Sequence, residues 1–131
     1  MRFNGSGRLN YSTDPYKLVL VVDPDLSRYY RSFVPNHFNV SPQKYPAHIS
    51  VVRKAIPPNL TVWNKHQNEE CQFEYDGIIY NDETYWWIGA QSVELEKIRA
   101  ELGLPIYSDI TKSPDGRHNF HITIGNTKDR K

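Results

Sequence analysis

Hydrophobic positions in this chain fall into short blocks, and their spacing changes from block to block. Leu18 to Val22 is an unbroken leucine and valine run, which predicts a buried strand. Asp23-Pro24 follows, an acceptor side chain before a proline, the signature of a helix start. In 24–34, Leu26, Tyr29, Tyr30 and Phe33 recur at helical spacing until Pro35 stops them. A loop with Pro42 and Pro46 leads to a second apolar stretch, 47–53, which predicts a strand closed by Pro57-Pro58. Residues 57–70 are a polar excursion. The stretches 71–80 and 84–90, either side of Asn81-Asp82-Glu83, predict a hairpin. Ser92 caps a helix over 93–102 with Gly103 at its stop. After the turn Ser113-Pro114-Asp115-Gly116, residues 119–125 predict the last strand. Residues 1–16 are polar and rich in Gly and Ser and are expected to be irregular. Residues 126–131 are expected to be a frayed charged tail.

The order contains a pseudo-repeat. Strand 18–22, helix 24–34 and strand 47–53 form one unit; strand 85–90, helix 92–102 and strand 119–125 form another. Little residue identity joins the two, so the repeat is architectural. The expected fold class is α+β. Duplicated β-α-β units are expected to build a bilobed, antiparallel-rich sheet with helices on its outer face. The length of 131 residues fits one domain. Aromatics at 13% argue against a disordered chain, and a net charge of +1 argues against a duplex-DNA or RNA coat. No apolar run approaches a membrane span and no apolar signal core follows Met1, so the expected location is the cytoplasm, with no membrane partner. The lone Cys71 fits a reducing compartment and reads as a strand cysteine rather than a nucleophile.

Each unit ends on a strand with the same small pattern: Ala47-His48-Ile49-Ser50-Val51 and Phe120-His121-Ile122-Thr123-Ile124. Residues two apart share a strand face, so His48 stands beside Ser50 and His121 beside Thr123, with Ile49 and Ile122 turned to the core. Five histidines and fifteen Ser or Thr among 131 residues give about half a His-x-Ser/Thr hit by chance. The context is what carries weight: both hits close matching units, and a pseudo-twofold would bring the two strands together. One neutral imidazole accepts a proton while a charged one donates, and two hydroxyls hold the phosphate oxygens between them. No carboxylate or cysteine pair with metal-ligand spacing accompanies either motif, so neither metal nor cofactor is expected.

Paired His-x-Ser/Thr motifs in a duplicated α+β chain resemble the two-histidine (2H) phosphoesterase superfamily, which includes the LigT-like RNA cyclic phosphodiesterases. The resemblance covers Leu18 to Gly125. The segments YPAHISVVR and SPDGRHNFHITIGN are most similar to the phage anti-CBASS proteins, which degrade the cyclic di- and trinucleotide signals of bacterial immunity. The resemblance implies a metal-independent phosphodiesterase acting on a cyclic di- or trinucleotide in the host cytoplasm, without an obligate protein partner. His48, His121, Ser50 and Thr123 would carry the chemistry, and Tyr11 would stack on a base, as a tyrosine near the start does in that family. The chain departs from the pattern in having Ser50 where Thr is frequent, and in ending soon after the second motif, where relatives can carry a lid. Two alternatives stay open: action on RNA 2′,3′-cyclic phosphate ends, or nucleotide binding without turnover.

Among other residues, Arg117 follows the Asp115-Gly116 turn and is a candidate to reach a phosphate. Arg53 lies an odd number of residues from His48 and so points away from it unless a bulge intervenes. His118 and His121 fall on opposite faces if the strand runs through both, which disfavours a metal pair. His37 and His66 read as solvated. Of Tyr85, Trp86 and Trp87, at least one belongs to the core and one is placed to wall a cleft.

Overall fold

The computed structural model describes residues 2–128. Six strands and two helices follow in the order β1 (Phe3–Ser12), β2 (Lys17–Val22), α1 (Pro24–Arg31), β3 (His48–Val52), β4 (Glu70–Asn81), β5 (Tyr85–Gln91), α2 (Val93–Glu101) and β6 (Phe120–Asn126). All strand pairings are antiparallel, and they close into a barrel in the order β1-β2-β3-β6-β5-β4. The helix starts follow the sequence signals. Asp23 accepts the Asp25 N–H with Pro24 at the first helical position, and Ser92 Oγ accepts the Leu95 N–H at 3.1 Å. Gly103 takes the left-handed conformation just past α2, with φ +82°.

Two expectations are corrected. Residues 1–16 are not an irregular lead-in, because Phe3–Ser12 is a strand. It pairs with β2 on one side (Gly7↔Val22 to Ser12↔Lys17) and with β4 on the other (Phe3↔Tyr75 to Arg8↔Glu70). That double pairing also explains the second difference. With β1 in place the sheet has no free edge, so it closes into one barrel rather than opening into two lobes. Each half is then a β-β-α-β unit, β1-β2-α1-β3 and β4-β5-α2-β6, one strand longer than the β-α-β unit read from the sequence. Of the expected tail, Asn126 closes β6 and is buried, and residues 129–131 lie outside the described residues.

The core lies on one face of the strands. Leu9, Leu18, Leu20, Ile49, Val51, Ile88, Phe120, Ile122 and Ile124 are almost completely buried in one cluster. Leu95, Ile98 and Leu102 join it from α2. That helix touches both β3 and β4, which are not neighbours in the barrel, so it lies across an opening of the barrel. Helix α1 packs on β6. Burying this many Leu, Ile, Val and Phe side chains at about 1.5–3 kcal/mol each supplies the main drive to fold. No helix among the described residues is long and apolar enough to cross a membrane.

Candidate active site

Strands β3 and β6 meet at the seam between the two halves. Ile49 pairs with Ile122, the single registered pair of that seam among the described residues, against four between β2 and β3. Both isoleucines point into the core and are fully buried. The side chains between them therefore stand on the outer wall, where His48, Ser50, His121 and Thr123 are all half-buried. The antiparallel register sets His48 opposite Thr123 and Ser50 opposite His121. The four groups form a quadrilateral with imidazoles on one diagonal and hydroxyls on the other. Directly opposed side chains in such a ladder are about 5 Å apart and diagonal ones about 7–8 Å.

Each motif is followed by a bulge at the same place. The partner of Leu18 is Val52 and that of Val19 is Ser50, so Val51 is skipped. The partner of Trp86 is Gly125 and that of Trp87 is Thr123, so Ile124 is skipped. In both halves the extra residue comes directly after the hydroxyl-bearing one. A bulge leaves a carbonyl out of the ladder, and an arginine takes each of them. Arg99 of α2, 2% exposed, donates to the Val51 carbonyl at 2.7 Å and to the Pro105 carbonyl at 2.6 Å. Arg31 of α1 donates to the Ile124 carbonyl at 2.9 Å. Each helix thus pins the motif strand of the opposite half. Burial lowers the pKa of both guanidiniums, but Arg starts so high that both stay charged.

The imidazoles are fixed in the same way in both halves. His48 Nδ1 lies 2.8 Å from the Pro46 carbonyl, and His121 Nδ1 lies 3.3 Å from the Thr111 carbonyl. A carbonyl only accepts, so Nδ1 carries the proton in each ring and Nε2 is the acceptor of the neutral form. No described residue bonds either Nε2. Thr111 is held in turn, its Oγ1 accepting the Ser108 N–H at 3.0 Å. Burial pulls the pKa of both histidines below the ordinary value near 6.5. For His48 the Pro46 carbonyl opposes this, while Lys17 and Arg53 add to it. For His121 the Thr111 carbonyl opposes it most, His48 adds to it, and the Lys112 carbonyl and Asp115 oppose it further. Both rings are neutral at pH 7. A phosphate between them reverses the balance, because its negative charge favours an imidazolium.

Beyond the quartet, the outer wall continues across β5 and β4. Trp87 stands opposite Thr123 and stacks on Tyr80, while Trp86 joins the core. Gly89 stands opposite His121, and the His118 ring lies where a Gly89 side chain would be; a Cβ there would come within 2.2 Å of its Nδ1. His118 precedes β6, so strand parity does not govern it. Its Nε2 reaches Asp76 Oδ2 at 3.1 Å, and Tyr80 donates its hydroxyl to the same oxygen. Arg117 is exposed over the Tyr80 ring, 5.8 Å from its centre, and 4.0 Å from Asp115. That sets it at the rim of the β4 side, with no contact to the quartet.

Tyr11 requires a correction. On β1 it shares the inward face with Leu9 and pairs with Leu18, so its ring is 7% exposed and packs edge-on against Trp63. Burial pushes its hydroxyl up to about 12. The barrel wall separates it from the histidines, and it cannot stack on a base held by them. Cys71 is buried in β4 with its thiol pushed up to about 12, the state of an inert core cysteine. His66 is not simply solvated: both ring nitrogens meet carboxylates, Glu69 at 2.9 Å and Glu101 at 2.8 Å. His37 lies on the exposed side of the Asn36–Phe38 turn, its ring against Phe38. Among the described residues, no group of three or more His, Cys, Asp or Glu stands close enough to hold a metal ion.

A cavity of about 490 Å³ lies elsewhere, lined by Arg2, Gln72, Glu74, Gln91, Glu94 and Glu96 among others. None of the quartet lines it, and its three carboxylates repel a phosphate. The half-buried quartet is the better candidate on chemical grounds. If Ser50 and Thr123 bind phosphate oxygens, Ser50→Ala and Thr123→Val each lose about tenfold to a hundredfold in kcat/KM, from one or two hydrogen bonds of about 1–1.5 kcal/mol. Steady-state kinetics on the two variants checks this, and unchanged rates in both would make the hydroxyls structural. Compared with family models, curated proteins and solved structures, the chain finds no match.

Proposed function

We propose that this protein is a phosphodiesterase that opens the 3′–5′ bonds of cyclic di- and trinucleotides with two histidines and no metal. The observation that carries the reading is the quadrilateral at the β3–β6 seam, where two imidazoles, bonded at Nε2 by no described residue, flank two hydroxyls. The resemblance of both motifs to those of the 2H phosphoesterases, and of the phage anti-CBASS proteins among them, supports the choice of substrate. In this reading one imidazole takes the proton from the attacking ribose 2′-hydroxyl or water. The other protonates the leaving 5′-oxygen, and Ser50 and Thr123 donate to the non-bridging oxygens as their charge grows.

The reactive form of the pair carries one proton. Both histidines are shifted below 6.5, so kcat/KM, which reports the free enzyme, follows a bell with its optimum on the acid side of pH 6.5. In kcat the bell moves to higher pH, because the bound phosphate favours the imidazolium. An optimum of kcat/KM above pH 8 would contradict the acid–base assignment.

The test of the substrate is a competition at equal concentration between a 3′,3′-cyclic dinucleotide and an RNA oligomer with a 2′,3′-cyclic end. Preferential cutting of the cyclic dinucleotide to a linear product is expected. Preferential opening of the RNA end would assign the protein to RNA-end processing instead.

A further inference from the structure

Strand parity turns Arg53 away from His48, yet the bulge at Val51 turns it back. Past the bulge Leu18 pairs with Val52, and the residues one step beyond that last pair are Lys17 of β2 and Arg53, the first residue after β3; both cations act on His48. Both are exposed. Two neighbouring like charges repel. No carboxylate among the described residues forms an ion pair with either. Lys17 instead lies over the ring of Tyr45, 6.0 Å from its centre, and that ring is 68% exposed. A cation pair kept unneutralised at the edge of a site is a place for an anion. Its position gives the scale. From Val19, beside Ser50, to Lys17 is two residues of strand, about 7 Å. Neighbouring phosphates in a nucleotide chain are separated by a distance of the same order.

From this placement we infer that Lys17 and Arg53 form a subsite for a second phosphate, next to the one held by the quartet, with the Tyr45 ring open to the adjoining base. This rests on the phosphodiester reading above and deepens it. The site selects ligands with at least two phosphates one nucleotide apart and disfavours those with one.

The test compares ApA, with one phosphate, and 3′,3′-cyclic diadenylate, with two. Dissociation constants are measured by calorimetry in the His121→Ala background, so that the result does not depend on turnover. Lys17→Gln and Arg53→Gln are each expected to weaken cyclic diadenylate about tenfold and ApA less than threefold. For cyclic diadenylate alone, the slope of log K against log salt becomes shallower by about 1 per variant. Arg28→Gln removes the same charge from the exposed side of α1, where it pairs with Asp25, and is expected to leave both constants alone. A second readout needs no ligand. Both cations depress the His48 pKa, so removing either moves its NMR titration to higher pH. Equal weakening of the two ligands, or none, overturns the subsite. Preference for the two-phosphate ligand without turnover by the wild type supports the subsite and overturns the hydrolase reading. Binding of neither ligand overturns both.

Discussion

His48→Ala and His121→Ala each lower kcat by about 10²–10⁴, the usual contribution of a positioned proton-transfer group. The double variant is little slower than the slower single one, because a base without its acid has already lost the concerted step. Folding survives in all three. The rings stand half-buried on the outer wall, held at Nδ1 by the carbonyls of Pro46 and Thr111. Both variants shed a neutral imidazole whose pKa is depressed by folding. Such a group costs stability as pH falls below 6.5, because the unfolded chain takes up the proton first, so the variants tolerate mild acid better than the wild type. Steady-state rates with thermal melts at pH 7 and pH 5.5 measure both effects. Near-full turnover in His48→Ala would remove it from the chemistry.

Arg99→Met carries the largest expected loss of stability. The arginine is buried, and its two charge-assisted bonds satisfy the Val51 and Pro105 carbonyls. Methionine keeps much of the volume but leaves both oxygens without a donor, which costs about 3 kcal/mol. For a domain of this size the melting point falls by on the order of 10 °C. Arg99→Lys recovers only part of the loss, because a single ammonium lacks the planar fork that spans two carbonyls. The bulge sets where Ser50 and Arg53 point, so KM rises in the variant even at temperatures where it is fully folded. Arg31→Met on the other half is milder, since Arg31 is partly exposed and makes one such bond. A melting point within 2 °C of the wild type in Arg99→Met would show that the bulge holds itself.

The motif strands were legible because their signal is local. In His48-Ile49-Ser50 and His121-Ile122-Thr123 one buried isoleucine between two polar residues states the face of each side chain. The helix caps at Asp23 and Ser92 are equally local. Strand β1 was missed although its pattern is present: Gly5, Gly7, Leu9 and Tyr11 alternate with Asn4, Ser6, Arg8 and Asn10. Two inward positions are glycines, so the apolar half of the alternation is nearly silent. The fold needs them small: a Cβ on Gly5 would meet the Phe73 ring at 2.5 Å, and one on Gly7 the Val21 carbonyl at 2.4 Å. Barrel closure was illegible for the same reason, since it depends on β1.

The two bulges left no mark in the sequence, because register is settled by the partner strand. The placement of Arg53 depends on the bulge at Val51, and so does its closeness to Lys17. Arg99 carries a signal in the sequence. It lies four residues from Leu95 and three from Leu102, on the apolar stripe of α2, where a solvated arginine does not belong. Gly89 was a second such signal, an isolated glycine in a strand that marks the close approach of another group, here His118. The resemblance places Tyr11 at a base, but its strand β1, silent in the pattern, turns it inward.

The central claim is that the seam of the two halves turns over a phosphodiester. The most direct measurement is a mass-spectrometric time course with cyclic dinucleotide in tenfold excess over protein and EDTA throughout. The account predicts many equivalents of linear dinucleotide from the wild type and almost none from His121→Ala. Capture of one equivalent at most, released intact after heat denaturation, would contradict it and leave a binding protein in its place.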